Sequence, residues 1–368
     1  MADAARAAAE AAALEAPLAA ALLRQGRDAA SAAGACADAS GGAMDPAAQR
    51  RLRALLAGDA ALAARPPRAA YTEAVVRRAA KVAAAGRFEL DEALVELMAP
   101  MYGSGGGGSG HGGHVSPKSV GYVSHTLRPN PSAGVAGDGR PRVVSVRCDA
   151  NVLAGNTGMA LWDAGLRLGA ELVSGRVQLG GDGGGAAASG RPARGCVIEL
   201  GAGTAFASLC AVVSGAAAEA VATDGDADAV SMSEHNVEVN GSTTASIRCA
   251  VLRWQEDEAA MEAAAAVLPA SASAVLAADV CYDPECVPAL AFTIGWLLST
   301  RRAPLALVAN ARRTPGAMEA FREALEAQGL RVEDLTRGTH AALDETPEEA
   351  VAALAAAFEV CGFSQCGY

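Results

Sequence analysis

Five short stretches of this chain carry residue types and spacings that can do chemistry. The first is Glu199-Leu-Gly201-Ala-Gly203-Thr, between an apolar strand-like run and a helix-like one. Gly201 and Gly203 permit a tight turn and close approach of a ligand to backbone. A dinucleotide fingerprint needs a third glycine, and Phe206 stands where GxGxxG would place it. Glu199 would repel a pyrophosphate but suits a zwitterionic, sulfonium-bearing amino acid. The second is Asp224, 21 positions after Gly203. A carboxylate at a strand tip can accept both hydroxyls of a ribose, which points to an adenosine-containing ligand; it can equally cap a helix, as can Asp226.

The third candidate is Trp254, whose ring can pack on adenine or fill the core. The fourth is Ala277-Ala278-Asp279-Val-Cys-Tyr282. Asp279 and Tyr282 would sit at the mouth of a crevice, unless Asp279 or Asp283 merely caps the helix announced by Pro284. The fifth is Thr157-Gly158-Met-Ala-Leu-Trp162-Asp-Ala164, opening a helix-like run. Trp162 reads as a core residue, or as a lid over the crevice from its chain order.

These stretches need elements to position them. Strand candidates are Cys196–Leu200, Ala220–Thr223, Ser246–Leu252, Ala274–Ala278 and Leu305–Ala309. Helical spacing marks Gly158 to Val177, and then 204–214, 226–239, 257–267, 285–299 and 315–328. Strand–helix alternation predicts a parallel sheet covered on both faces. Ligands of such sheets bind beyond the C-terminal strand ends, where the polar candidates fall. Upstream, Val120–Leu127 and Val143–Cys148 alternate like a hairpin.

Residues 15–100 look helical, with Pro66-Pro67 breaking the run, a helix from about Tyr71 to Ala85, and another from Asp91 carrying Leu94, Val95 and Leu97. Residues 103–114, GSGGGGSGHGGH, have linker composition, so His111 and His114 lack the rigid scaffold of a metal pair. A similar Gly/Ala insert occupies 180–190. The expected organisation is a helical region over 1–100, a Gly-rich linker over 101–118, and a catalytic domain over 119–368.

A chain of 368 residues with 51% apolar content can bury a large core, although alanine runs such as Ala263–Ala266 inflate that figure. The net charge of −11 leaves no basic stripe for nucleic acid. No apolar run has membrane-spanning length and character. Nine scattered cysteines without a CxxC suggest reduced thiols in a cytoplasmic protein. Asp3, Glu10 and Glu15 are unusual for a targeting segment, although the Ala-rich N-terminus leaves an organellar address open.

Together the motifs resemble the seven-β-strand protein-lysine N-methyltransferases. The TGxxxWDA stretch at 157–164, Glu199-Leu-Gly201-x-Gly203-Thr, Asp224, Trp254 and Ala278-Asp279-x-x-Tyr282 occur in that family's order and spacing. Within the family the likeness is greatest to the elongation factor 2 lysine methyltransferase group. Pro66-Pro67 leading into Tyr71-Thr-Glu, the acidic Leu90–Met98 stretch, Ala277-Ala278-Asp279-Val-x-Tyr282-x-Pro284-Glu285, and Arg313-x-Pro315 before a helix holding Phe321 suggest that branch. The resemblance covers about residues 50–335.

It implies an α/β, Rossmann-like class I S-adenosylmethionine-dependent domain with a helical N-terminal extension. S-adenosylmethionine would be contacted by Trp162, Glu199, Gly201, Gly203, Asp224, Trp254 and Ala278, with Asp279 and Tyr282 where cofactor meets a target lysine. The partner would be a protein substrate similar to elongation factor 2, and the enzyme a cytoplasmic monomer without a metal. The family ends with a strand inserted antiparallel into the sheet. Here 344–357 is Ala/Glu-rich and helix-like, and only Phe358–Phe363 suits that strand. The rival readings are an NAD-dependent oxidoreductase, disfavoured by the missing third glycine and by Glu199, and a non-catalytic interaction module of the same fold.

Overall fold

The computed structural model describes residues 29–38, 41–59, 62, 64–92, 94, 120–127, 142–149, 157–175, 179, 195–300, 303–311, 316–335 and 358–365. Expectations for the Ala-rich N-terminus, the 101–118 linker, the 180–190 insert, Val95 and Leu97, Arg313-x-Pro315 and the 344–357 stretch lie outside these residues. The described residues form two compact units, one drawn from Met1–His125 and Arg147–Gly155, the other from Thr126–Val146 and Asn156–Tyr368.

The first unit contains helices α1 (Ala29–Asp38), α2 (Pro46–Gly58) and α3 (Ala69–Ala85). Asp45 begins α2 by accepting the Ala48 amide at 2.8 Å, with Pro46 at the first turn. Leu52, Leu55, Tyr71, Val75, Val76 and Ala79 are buried together, as their helical spacing requires. Two polar side chains are buried and satisfied by backbone: Arg51 donates twice to Cys36 O at 3.1 and 2.9 Å, and Gln49 bonds Met44 O, Glu89 O and Asp91 N. Strands β1 (Val120–Leu127) and β2 (Arg142–Asp149) pair as a two-stranded sheet and contribute residues to both units.

The second unit is built on β3 (Cys196–Leu200), β4 (Glu219–Asp224), β5 (Ile247–Val251), β6 (Ala274–Ala278), β7 (Leu305–Ala311), β8 (Leu330–Asp334) and β9 (Phe358–Gln365). Their order in the sheet is β5-β4-β3-β6-β7-β9-β8. The first five are parallel, and β9 runs antiparallel between β7 and β8. Helices α4 (Asp163–Ser174), α5 (Phe206–Ser214), α6 (Ala227–Val239), α7 (Glu258–Ala264), α8 (Val287–Ser299) and α9 (Ala317–Ala327) accompany the strands. The central strands β3, β6 and β7 are buried nearly throughout and, Glu199 and Asn310 apart, read as apolar runs, whereas the edge strands β5 and β8 each bury only their first residue.

This is the Rossmann-like class I architecture that the resemblance implies. Phe358–Gln365 supplies the antiparallel strand. The sequence reading missed β8, whose Leu-Arg-Val-Glu-Asp lacks the apolar run of an interior strand. The helical spacing from Gly158 also starts too early: a 3-10 turn covers Thr157–Met159, and α4 begins only at Asp163, with Trp162 in its extended N-cap position. Among the described residues no helix is long and apolar enough to cross a membrane.

Candidate active site

Strand register brings the candidate residues to one edge of the sheet. Leu200 pairs with Thr223 and with Ala277, and Ala278 pairs with Ala309. The residues that follow, Gly201, Asp224 and Asp279, therefore leave neighbouring strands at similar height.

The turn after β3 takes an unusual path: Gly201, Gly203 and Ala205 all have positive φ, +63°, +52° and +58°. A Cβ on Gly203 would lie 2.5 Å from Gly158 O, so only glycine lets the Thr157–Met159 turn close on this one. A Cβ on Gly201 would lie 2.9 Å from Val280 Cγ1 and 3.3 Å from Trp254 Cζ2. Trp254 thus borders the glycine turn while its other side packs on the core. Trp162 is half-buried and donates its Nε1 hydrogen to Thr157 O at 2.9 Å, which closes the turn carrying Gly158. From this stretch it is Gly158 that approaches Gly203 and Asp224.

Asp224 ends β4. Its Oδ2 accepts the Gly203 amide at 3.0 Å and its Oδ1 the Asp226 amide at 3.1 Å. The capping alternative goes to Asp226, which accepts the Asp228 amide at 2.9 Å at the start of α6. Burial raises the Asp224 pKa above its ordinary value, against the lowering effect of its amide donors. A carboxylate has about four acceptor positions, so Asp224 can take a further donor, such as a hydroxyl, beside these amides.

Glu199 is only 2% exposed. Its Oε2 accepts both the amide, at 2.9 Å, and the hydroxyl of Ser208. Burial pushes its pKa up to about 7, with the Ser208 bonds opposing and the Asp224 charge adding to the rise.

Beyond β6, Asp279 has φ +57° and is 7% exposed. Its amide donates to Ala309 O at 2.7 Å, and its Oδ1 accepts the Ala311 amide at 3.3 Å. The capping role belongs to Asp283, which accepts the Glu285 amide at 2.9 Å in the 3-10 turn before α8. Ala278 is partly buried at the end of β6. Tyr282 lies on the connecting loop, 55% exposed.

Three polar residues that sequence reading did not single out hold these loops. Buried Asn310 on β7 accepts the Cys281 amide at 3.1 Å and donates to Cys281 Sγ at 3.2 Å, tying down the Asp279–Tyr282 loop. Buried Ser233 and Asn236 on α6 donate to Gly203 O and Thr204 O at 2.8 and 3.1 Å. Their one signal was a pair of small polar residues at i, i+3 on a buried helix face. Among the described residues no group of three His, Cys, Asp or Glu could hold a metal ion.

Residues 148–328, which contain every site residue named above, match the model of a family described as lysine methyltransferase. No curated protein matches the chain. Among solved structures, a putative RNA methyltransferase from Pyrococcus horikoshii is 14% identical with a TM-score of 0.32, over 46% of this chain and 73% of that one. The m1A22 tRNA methyltransferase TrmK of B. subtilis is 12% identical at 0.34, over 56% and 67%. TrmK of M. capricolum, in complex with S-adenosylhomocysteine, is 11% identical at 0.31, over 47% and 63%. The chain spans less than two thirds of the length of several matched structures. The sheet topology and the family model give a class I, Rossmann-like methyltransferase fold, and its cofactor is S-adenosylmethionine.

Proposed function

We propose that this chain is a protein-lysine N-methyltransferase whose substrate is a translation elongation factor similar to elongation factor 2. The observation that carries the lysine reading is the match of a lysine methyltransferase family model to the segment holding the whole site. The choice of substrate rests on the resemblance of Pro66-Pro67, Tyr71-Thr-Glu and the Asp279–Glu285 stretch to one branch of that family.

The residues at the sheet edge fit the cofactor. Asp224, at the tip of β4, can accept from the ribose beside its amide donors. Trp254, beside Gly201, packs on the adenine. Gly201 and Gly203 give the methionine portion access to backbone, with Trp162, Glu199 and Ala278 completing its surroundings. When bound, S-adenosylmethionine supplies a methyl group already activated on a sulfonium.

The chain's own residues then have to position the amine and exclude water. A free lysine has a pKa of about 10.4 and must arrive neutral. Partial desolvation beside the Tyr282 ring favours loss of its proton. Asp279 and Tyr282 align the amine and pass its proton to water, without a dedicated general base. In this reading the helical region over 1–100 receives the protein substrate, residues 119–368 perform the chemistry, and the enzyme works as a cytoplasmic monomer.

The test is incubation of the purified chain with labelled S-adenosylmethionine and elongation factor 2, and in parallel with whole-cell extract. Label on one lysine of elongation factor 2 is expected. Label on a different protein in the extract would overturn the substrate, and label on RNA the lysine reading. No transfer at all from a chain that binds the cofactor would support the non-catalytic module.

A further inference from the structure

The helix that the turn after β3 enters holds it at Ala205, whose carbonyl accepts the Leu209 amide at 2.9 Å, and the carbonyls before Ala205 are held from elsewhere. Amides two and three positions into α5 are ones that a helix cannot satisfy for itself. Here that of Ser208 is taken by the Glu199 carboxylate. The carbonyls that those amides would bond if the helix continued backwards, Gly203 O and Thr204 O, turn instead towards α6 and accept from Ser233 and Asn236. Two elements thus grip the same turn, Glu199 by the Ser208 amide and α6 by the turn's carbonyls. Asn240 braces the second grip. Its Nδ2 donates to Asn236 O at 2.6 Å and to Ser145 O at 2.7 Å, and its Oδ1 accepts the Ser145 amide at 2.9 Å.

We propose that Ser233 and Asn236 are positioning residues for the adenosyl cofactor, fixing the Gly203–Thr204 and Thr204–Ala205 peptide planes without touching the ligand. A trans peptide has its N–H opposite its C=O, so holding Gly203 O on α6 turns the Thr204 N–H away from that helix. The Gly203 amide belongs to the preceding peptide plane and is held separately, by Asp224 Oδ2. Three left-handed residues within five leave this turn no regular structure to fall back on. The inference rests on S-adenosylmethionine being the cofactor and is independent of the lysine substrate.

The test is the affinity of the full chain for S-adenosylhomocysteine by titration calorimetry, with melting temperature measured alongside. Ser233→Ala and Asn236→Ala should each weaken binding about fivefold, the fold-change that a lost hydrogen bond of about 1 kcal/mol corresponds to. Ser233→Thr, which keeps the hydroxyl, should restore most of the affinity. Thr244→Val removes a buried hydroxyl that bonds Val237 O and Gly241 O beyond the far end of α6. It should lower the melting temperature and leave affinity unchanged. If Asn236→Ala does not fold, the Ser233 pair decides alone. Variants that melt earlier but bind within twofold of the parent overturn the inference. A parent chain that binds no S-adenosylhomocysteine overturns the cofactor assignment, and this inference with it.

Discussion

The Gly203 amide donates to Asp224 Oδ2 at 3.0 Å, so the turn after β3 and the tip of β4 share one hydrogen bond across adjacent strands. With Asp224 as the proposed ribose partner, removing its carboxylate acts twice, on the ligand and on the turn itself. Asp224→Ala should weaken S-adenosylhomocysteine binding tenfold or more, since each charge-assisted hydrogen bond is worth about 1.5–3 kcal/mol. Calorimetry on the folded variant checks it. Unchanged affinity would place the ribose elsewhere.

The same turn has opposite tolerances two residues apart. Gly203→Ala puts a methyl 2.5 Å from Gly158 O at φ +52° and should abolish cofactor binding. Ala205 sits at φ +58° with its side chain already accommodated, so Ala205→Gly relieves a left-handed alanine. Part of that relief is offset by the freer unfolded chain. Loss of the fully buried Ala205 methyl, about 0.8 kcal/mol, offsets more of it. A stability within about 0.5 kcal/mol of the parent in urea unfolding is expected, and a loss of about 2 kcal/mol or more would overturn the strain reading.

Asp279→Asn should fold, bind cofactor normally and lose turnover about a hundredfold, the scale set by misaligned reactants. Asparagine tolerates the left-handed backbone and can still accept from the Ala311 amide, so the substitution isolates the charge. Single-turnover transfer measured beside cofactor affinity decides the matter, and near-normal transfer would remove Asp279 from the chemistry.

Glu199 links stability to pH. Its folded-state pKa of about 7 lies above the ordinary 4.5, so the folded chain holds a proton that the unfolded chain has released. Stability must then fall as pH rises from about 4.5 to 7 and level off above. Relative to Glu199→Gln, which does not titrate, the parent should lose about 2–3 kcal/mol between pH 5 and 8. Urea unfolding of both proteins at the two pH values measures this difference. A constant difference would mean that Glu199 is ionised when folded.

Much of this frame is legible in the residues. Strands β3, β6 and β7 announce themselves because both faces are buried and their runs are apolar, and Gly201 and Gly203 mark the turn that only they can make. Strand β8 is hidden by its exposed, charged alternation. Asp224 against Asp226, and Asp279 against Asp283, cannot be divided between cap and ligand role from sequence, because each pair offers the same carboxylate to the same stretch of chain. The folded chain gives the caps to Asp226 and Asp283, which accept the Asp228 and Glu285 amides. Asn310, Ser233 and Asn236 are illegible for another reason: their partners lie 29 to 32 residues away, where only the folded chain brings them.

The position of β9 has a consequence for synthesis on the ribosome. Strand β7, which carries Ala309 and Ala311 against Asp279, pairs along its outer edge with Phe358–Ser364, and β8 pairs with the same late strand. A nascent chain that has emerged as far as β8 therefore exposes an open apolar sheet edge on β7, with β8 still unpaired. Such edges invite pairing with other chains. Stop codons shortly before Phe358 should yield aggregates rather than a weakened enzyme, and a slow final stretch of translation should raise the demand for chaperones.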